Sequence, residues 1–119
     1  MSKLVVLDRK YWPQGGYGHW CPGCGYGHEI NVDIPNSSGA KWTFNGNRYK
    51  PTFSPSINRR VNTPDMGECY QPDIESTVCH YFIRNGMIEF LGDCTHALAG
   101  QTVELPEMPD GKYLTSARL

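Results

Sequence analysis

Glycine and proline interrupt this chain so often that long regular segments cannot form. The 119 residues include 13 glycines and 9 prolines, a share clearly above average usage. Proline removes a backbone donor and blocks helix interiors, and glycine weakens helices and strands alike. No segment shows three turns of helical apolar periodicity. We therefore predict a β-rich chain with short helical turns at most.

Five short runs have the apolar or alternating pattern that is typical of strands. They cover residues 3–7, 41–44, 78–83, 87–91 and 101–105. Turn-rich stretches separate them, and no linker is long enough to divide the chain. The expected fold class is mainly β, a small β-rich α+β fold with a compact antiparallel sheet of hairpins. Residues 1–119 are expected to form a single domain.

The charge balance argues against partners that are recognised by charge. The net charge is −1 and 19% of residues are charged, so no polybasic face indicates nucleic acid or a membrane surface. The N-terminal apolar run at residues 4–7 is too short for a signal peptide and far below the ~20 residues of a membrane span. We expect a cytoplasmic protein with neither nucleic acid nor a membrane as its partner.

Two Asn-Gly pairs predict β-hairpins. One pair, Asn45-Gly46, lies in "WTFNGNRY", and the other, Asn85-Gly86, lies in "HYFIRNGMIEFL". Asn-Gly favours a two-residue type I′ turn because both turn positions need positive φ. With the second pair as the loop, Arg84 faces Met87, and this pairing sets the register of both strands.

The register of the second hairpin sorts its polar residues onto two faces. Side chains alternate along a strand, and diagonal neighbours on opposed strands share a face. Cys79 then shares a face with Cys94, and with His96 if the strand continues that far. His80 lies on the opposite face as the diagonal neighbour of Asp93. A bulge in the hairpin would invert this sorting.

The chain has five cysteines, which do not suit a disulfide framework in the cytoplasm. Cys21 and Cys24 form a close pair in "CPGCG". A redox pair would normally open a helix, but no helical pattern follows. Zinc prefers four tetrahedral Cys or His ligands, so we predict a structural zinc that staples the fold. Its expected ligands are this pair and two members of the following set: Cys79, Cys94 and His96.

Other roles for these residues stay open at the level of the sequence. His28 is an alternative zinc ligand, because "CPGCGYGH" has C-x2-C-x3-H spacing. Cys69 lies in the turn-rich stretch "GECYQPD" and is the expected spare cysteine. Cys79 and Cys94 could instead be small buried hydrophobic residues.

The segment "YKPTFSPSINRR" carries a candidate nucleophile. Pro51 and Pro55 stiffen it and remove backbone donors, so we expect an extended segment that is a poor central strand. A serine nucleophile needs a base within hydrogen-bond reach and a third group that orients the base. His80 with Asp93 meets that need for Ser56. The alternative is a serine that caps a turn and a histidine in a structural network.

Three blocks of the sequence resemble a known family. They are "WCPGCGYGH", "PTFSPSI" and "CHYFIRNGMIEFLGDCTHALAGQTVELP", and the resemblance covers about residues 18–109. The chain resembles a small phage and bacterial family whose members are often labelled ammonia monooxygenase. The same superfamily is similar to the BubE peptidase-like proteins of bacterial operons that conjugate a ubiquitin-like protein. The monooxygenase label has no support, because nothing in the sequence resembles a membrane copper site.

The resemblance implies a zinc-stabilised β-rich fold and a serine-type peptidase site. Ser56 matches the serine of a Pro-Ser-Ile segment, and His80 matches the histidine before aromatic-Ile-Arg. With Asp93 as the orienting group, the expected activity is hydrolysis of a peptide or isopeptide bond. The expected partner is a protein substrate such as a ubiquitin-like protein, in a bacterial or phage-infected cell. A catalytic zinc is disfavoured, because the register places His80 and His96 on opposite faces.

A different class of function is a non-catalytic, zinc-binding module, such as a phage factor that occupies a host protein. Interface-type aromatic residues in "YWPQGGYGHW" would then form the contact surface: Tyr11, Trp12, Tyr17 and Trp20. A serine-reactive fluorophosphonate discriminates the two functions, because it labels Ser56 only if this serine is an activated nucleophile.

Overall fold

Strands dominate the structure, as the interrupted sequence predicts. The computed structural model describes residues 3–109 and 117–118. In chain order the strands are β1 Leu4–Val6, β2 Tyr17–Cys21, β3 Tyr26–Ile30, β4 Thr43–Phe44, β5 Phe53–Val61, β6 Thr77–Arg84, β7 Met87–Phe90, β8 Thr102–Glu104 and β9 Ala117–Arg118. Within the described residues the helical content is one 3₁₀ helix, Pro64–Cys69, and no helix there could span a bilayer.

The strands form two antiparallel sheets. The first has four strands in the order β3-β2-β1-β9, and the second has five in the order β4-β5-β6-β7-β8. Neighbouring strands in both sheets pair in antiparallel fashion. The mainly β, antiparallel fold class is therefore confirmed, with the strands divided between two sheets.

The β6–β7 hairpin has the predicted register. Arg84 pairs with Met87, and the loop residues have the positive φ that a type I′ turn requires, 51° at Asn85 and 79° at Gly86. The turn is therefore two residues long and introduces no bulge. Alternate residues of β6 face opposite sides of the sheet, as the sequence predicts.

The two-residue turn predicted at Asn45-Gly46 is wrong. β4 ends before this pair and β5 begins several residues after it, so the loop between the two strands spans residues 45–52. The Asn45 side chain organises the loop, because its Oδ1 accepts from the backbone N–H of Asn47 and of Thr52, both at 3.1 Å. Such bonds to nearby backbone compete with the pairing of strands, so the chain forms a longer loop here.

β5 lies between β4 and β6 in the sheet, contrary to the expectation drawn from its prolines, although β4 pairs only with Phe53 and Ser54. Pro51 precedes the strand. The register of β5 against β6 shifts between Phe53 and Ile57, so that residues 54–56 stand opposite one residue of β6. Pro55 lies inside this irregular stretch, where a regular ladder bond from its nitrogen is not needed.

A buried cluster of Tyr81, His19 and His28 ties β6 to β2 and β3. The Tyr81 hydroxyl lies 2.7 Å from His19 Nε2 and 2.9 Å from His28 Nδ1, and all three side chains are fully buried. Burial lowers the pKa of His19 to about 4 and that of His28 to about 2. Both imidazoles are therefore neutral at pH 7. We call this group the inter-sheet cluster, and it accounts for His28, the alternative zinc ligand.

Candidate functional site

The "CPGCG" segment forms the tight turn between β2 and β3. Cys21 ends β2, and its carbonyl accepts from the N–H of Gly25 at 2.9 Å. The N–H of Cys24 points at Cys21 Sγ, with a distance of 3.4 Å. Backbone N–H groups aimed at a sulfur favour its thiolate form. The pair therefore lies at a hairpin turn and not at a helix N-terminus, which disfavours the redox interpretation.

Four side chains each bring one ligand atom to a common point. Their ligand atoms all lie within 4.8 Å of one another, and the residues are Cys21, Cys24, Cys79 and His96. Cys79 Sγ is 3.8 Å from Cys21 Sγ and 3.4 Å from His96 Nε2. Two sulfurs at ~2.3 Å from a tetrahedral ion are separated by about 3.8 Å. The residues of this group, the metal cluster, are thus close enough to hold a metal ion.

Gly23 makes room for the fourth ligand of the metal cluster. A Cβ atom at this position would lie 2.3–2.6 Å from ring atoms of His96, which no real contact allows. The ring of Phe90 packs edge-on against the same imidazole, with 4.5 Å between centroids. The N–H of Leu98 lies 3.2 Å from His96 Nδ1. That contact must lengthen when Nε2 binds a metal, because Nδ1 then carries the proton.

The three thiols of the metal cluster share their protons unequally. A hydrogen bond from Cys79 lowers the pKa of Cys21 to about 6, and the same bond raises the pKa of Cys79. Burial raises the pKa of Cys24. Cys21 is therefore the most acidic of the three thiols, and a divalent cation would displace the remaining protons.

An arginine faces the metal cluster across a cavity of about 280 Å³. Cys24, Cys79 and His96 line this cavity together with Tyr26 and Arg59. Arg59 stands opposite Cys79 in the β5–β6 register. Three thiolates and a divalent ion would carry a net charge of about −1, and the guanidinium would be a countercharge on the same cavity.

The structure does not bring Cys94 into the metal cluster. Its thiol instead binds the backbone of His80: Sγ accepts from the N–H at 3.3 Å and donates to the carbonyl at 3.2 Å. β7 ends at Phe90, so the diagonal-neighbour argument does not extend as far as Cys94. Cys69, the expected spare, is exposed in the 3₁₀ helix.

On the other face of β6, Ser56, His80 and Asp93 form a hydrogen-bonded row. Ser56 Oγ lies 3.2 Å from His80 Nε2, and His80 Nδ1 lies 3.1 Å from Asp93 Oδ2. An ionised carboxylate only accepts, so Nδ1 carries the ring proton and Nε2 offers its lone pair to the serine hydroxyl. This order of groups suits a nucleophile, a base and an orienting group. The structure thus brings together all three residues singled out from the sequence.

Contacts outside the row hold its backbone in place. The Trp42 indole Nε1 donates to the carbonyl of Ser56 at 3.1 Å. The carbonyl of His80 accepts from the N–H of Leu91 at 2.9 Å, in addition to the Cys94 contacts. Sequence reasoning missed Trp42, because no spacing rule connects an indole to a carbonyl 14 residues away.

The aromatic residues considered as an interface do not form one exposed face. Tyr17 packs against Phe44, with ring centroids 4.7 Å apart, and borders the core. Tyr11 is 54% exposed, and its ring meets Trp12 edge-on. Only part of the set is therefore available to a partner.

Comparison with known proteins shows which family the sequence matches. A family model described as "Bacterial ubiquitination-like system serine protease (BubE)" matches residues 2–91. No curated protein and no solved structure matches the chain. The matched range includes the cysteine turn, Ser56 and His80, and it ends before Asp93 and His96.

Proposed function

The chain belongs to the family of bacterial ubiquitination-like system serine proteases, and on that premise we propose a zinc-stabilised serine-type peptidase. Its substrate is a peptide or isopeptide bond of a ubiquitin-like protein. The observation that carries the proposal is the 3.2 Å contact between Ser56 Oγ and His80 Nε2, because this contact gives the hydroxyl a base.

In the acylation step, Ser56 Oγ attacks the scissile carbonyl carbon while its proton moves to His80 Nε2. The carbonyl π electrons move onto the oxygen. When they return, the C–N bond breaks, and the leaving amine takes the proton from Nε2. The acyl group remains on Ser56 as an ester.

In the deacylation step, a water molecule attacks the ester and gives a proton to His80 Nε2. The C–Oγ bond then breaks, and Ser56 recovers its proton from the imidazole. Asp93 accepts from Nδ1–H throughout and stabilises the imidazolium that forms in each step.

The metal in this proposal is zinc, in a structural role. Three sulfurs and one imidazole form the donor set of closed, tetrahedral structural zinc sites. Bound there, zinc would supply folding free energy and no chemistry. The alternation of Cys79 and His80 along β6 keeps the imidazole of the base away from the metal cluster.

Labelling with an alkyl fluorophosphonate tests the proposal. We expect the wild type to be labelled at Ser56, as located by peptide mass spectrometry. Ser54→Ala is the matched control, because Ser54 is an exposed serine of the same strand, and this variant should be labelled like the wild type. Ser56→Ala and His80→Ala should not be labelled.

Failure of this labelling would favour the binding-module function. If folded, zinc-loaded wild type shows no adduct at Ser56, the serine is not an activated nucleophile, and the proposed peptidase activity is wrong.

A further inference from the structure

Beyond Ser56, no strand of the described residues neighbours β5 on the side opposite β6. β6 pairs with β5 from Ile57 to Val61, whereas β4 reaches only Phe53 and Ser54. Among the described residues, no other strand comes within 8 Å of β5, measured between Cα atoms. Paired strands lie about 5 Å apart. Residues 57–61, here called the β5 edge, therefore have no second strand beside them within the part of the chain that the structure describes.

Hydrogen bonds hold the segment before β4 away from the β5 edge. The N–H of Trp42, just before β4, donates to the carbonyl of Asn31 at 3.0 Å. Asn31 Nδ2 in turn donates to the carbonyl of Ala40 at 2.8 Å. These bonds direct the chain toward the end of β3, so β4 cannot continue along β5.

The β5 edge carries exposed side chains and begins directly after the proposed nucleophile. Asn58 and Arg60 are exposed, and Val61 is 44% exposed. The carbonyl of Ser56 accepts from the Trp42 indole. Among the described residues, this is the last hydrogen bond on the open side of β5 before the β5 edge begins. An uncovered edge strand invites pairing with another chain, and proteins normally protect it.

We propose that an extended segment of the protein substrate binds along the β5 edge as an added strand and so delivers its scissile carbonyl to Ser56. This inference rests on the proposed function. Five edge residues span about 17 Å at ~3.4 Å per residue, enough for about four or five substrate residues. Main-chain hydrogen bonds supply the affinity in this mode of binding. The substrate segment must therefore be an unstructured tail or loop, whose backbone groups are free.

Three serine-reactive probes distinguish binding along the β5 edge from the reactivity of Ser56. An alkyl fluorophosphonate reports on Ser56 alone. A tetra-alanine diphenyl phosphonate adds an extended chain, and its N-methylated form has the same length without backbone donors. We expect the tetra-alanine probe to label wild-type Ser56 at least about 10-fold faster than the N-methylated probe, since each main-chain bond contributes about 1 kcal/mol.

Proline substitutions along the edge give the matching change in the protein. Alternate N–H groups of β5 face β6, and the others face the open side. Asn58→Pro and Arg59→Pro therefore form a matched pair, because one of these N–H groups faces β6 and the other faces the open side. Proline at the position that faces β6 removes a ladder bond and should lower the melting temperature. Proline at the outward-facing position should leave the melting temperature at the wild-type value. We expect the folded variant to react normally with the alkyl probe and about 10-fold more slowly with the tetra-alanine probe. Asn58→Ala should react normally with both.

The outcomes distinguish the two proposals. If N-methylation and the folded proline variant leave the tetra-alanine rate unchanged, the edge is not used, although alkyl labelling of Ser56 still supports the peptidase. If the alkyl probe does not label wild-type Ser56, both proposals are overturned. If both proline variants unfold, the comparison of the two peptide probes on the wild type decides.

Discussion

The two faces of β6 carry two different kinds of site. On one face, Cys79 is 3% exposed and meets Cys21 and Cys24, which come from the other sheet. On the opposite face, the side chains of His80 and Asp93 are 24% and 51% exposed. Their partner Ser56 belongs to the same sheet as His80.

If the proposed function holds, this difference separates a structural site from a chemical one. The metal cluster joins two sheets, so its loss removes a link that the fold depends on. The Ser56–His80–Asp93 row lies within one sheet and the segment that follows β7, so changes in its side chains remove no contact between sheets. Stability and activity should therefore respond to different sets of substitutions.

The largest expected effect is loss of the fold on loss of the metal. Cys79→Ser should remove the zinc and unfold the chain, because zinc binding to such small sites contributes about 10 kcal/mol or more to folding. Elemental analysis and circular dichroism measure the two effects. Cys69→Ser and Cys94→Ser are the controls and should keep about one zinc per chain. If a metal-free Cys79→Ser variant melted at the wild-type temperature, the fold would not depend on the metal cluster and the comparison would fail.

Next in size is the loss of activity without loss of stability. We expect Ser56→Ala and His80→Ala each to lower kcat/KM by about 10⁴-fold or more on a fusion that carries a ubiquitin-like C-terminus. The double variant should lose no more, because the pair acts as a unit. Asp93→Asn should lose less if it only orients the imidazole. Melting temperatures should stay near the wild-type value.

Chelators sharpen the same distinction. They should inactivate the protein only as slowly as it unfolds, since the metal takes no part in the chemistry. Rapid inhibition with the β-sheet circular dichroism signal intact would instead favour a catalytic metal.

A smaller effect is expected at the β6–β7 turn, which sets the register and so decides on which face each side chain of β6 lies. Gly86→Val should destabilise the fold by about 2–3 kcal/mol, because φ is 79° and the new Cβ would lie 3.2 Å from the Cα of Lys50. At Gly92 a Cβ meets nothing within 4 Å, so Gly92→Val is the control. Urea unfolding measures both variants, and equal costs would count against the turn as the source of the register.

The smallest expected effect concerns the inter-sheet cluster, which links the sheets without a metal. The folded pKa of His28 lies below the unfolded value of 6.5, so its contribution is complete above pH 6.5 and is lost as the unfolded state gains protons below it. Each such histidine adds a slope of about 1.4 kcal/mol per pH unit. His28→Gln should reduce the slope of the free energy of unfolding against pH by that amount between pH 6 and 5. An unchanged slope would show that His28 is not buried in its neutral form.

Local rules account for the parts of the site's geometry that follow from the sequence. A two-residue turn and a period of two residues are enough to place Cys79 and His80 on opposite faces. Asp93 lies beyond the end of β7, so its contact with His80 depends on the path of the chain after the strand. The hairpin of β2 and β3 shows no hydrophobic alternation, because its buried positions include His19 and His28. A histidine is scored as polar, so hydrophobic alternation does not reveal a strand that buries two of them.

The remaining features depend on contacts between segments that are distant in the chain. The need for glycine at position 23 comes from the His96 ring, and the support of Ser56 comes from the Trp42 indole. Cys94 shows the limit of strand geometry, because its placement depends on where the chain leaves the sheet. None of these contacts follows from spacing or composition.

Three consecutive residues of β6 serve three different groups: Cys79 the metal cluster, His80 the row, and Tyr81 the inter-sheet cluster. Such a strand cannot change its length. An insertion or deletion of one residue there would exchange the inward and outward positions and disable all three groups at once. Loop 45–52 carries no such requirement, so variation in chain length among functional relatives should occur in this loop and be absent from residues 77–84.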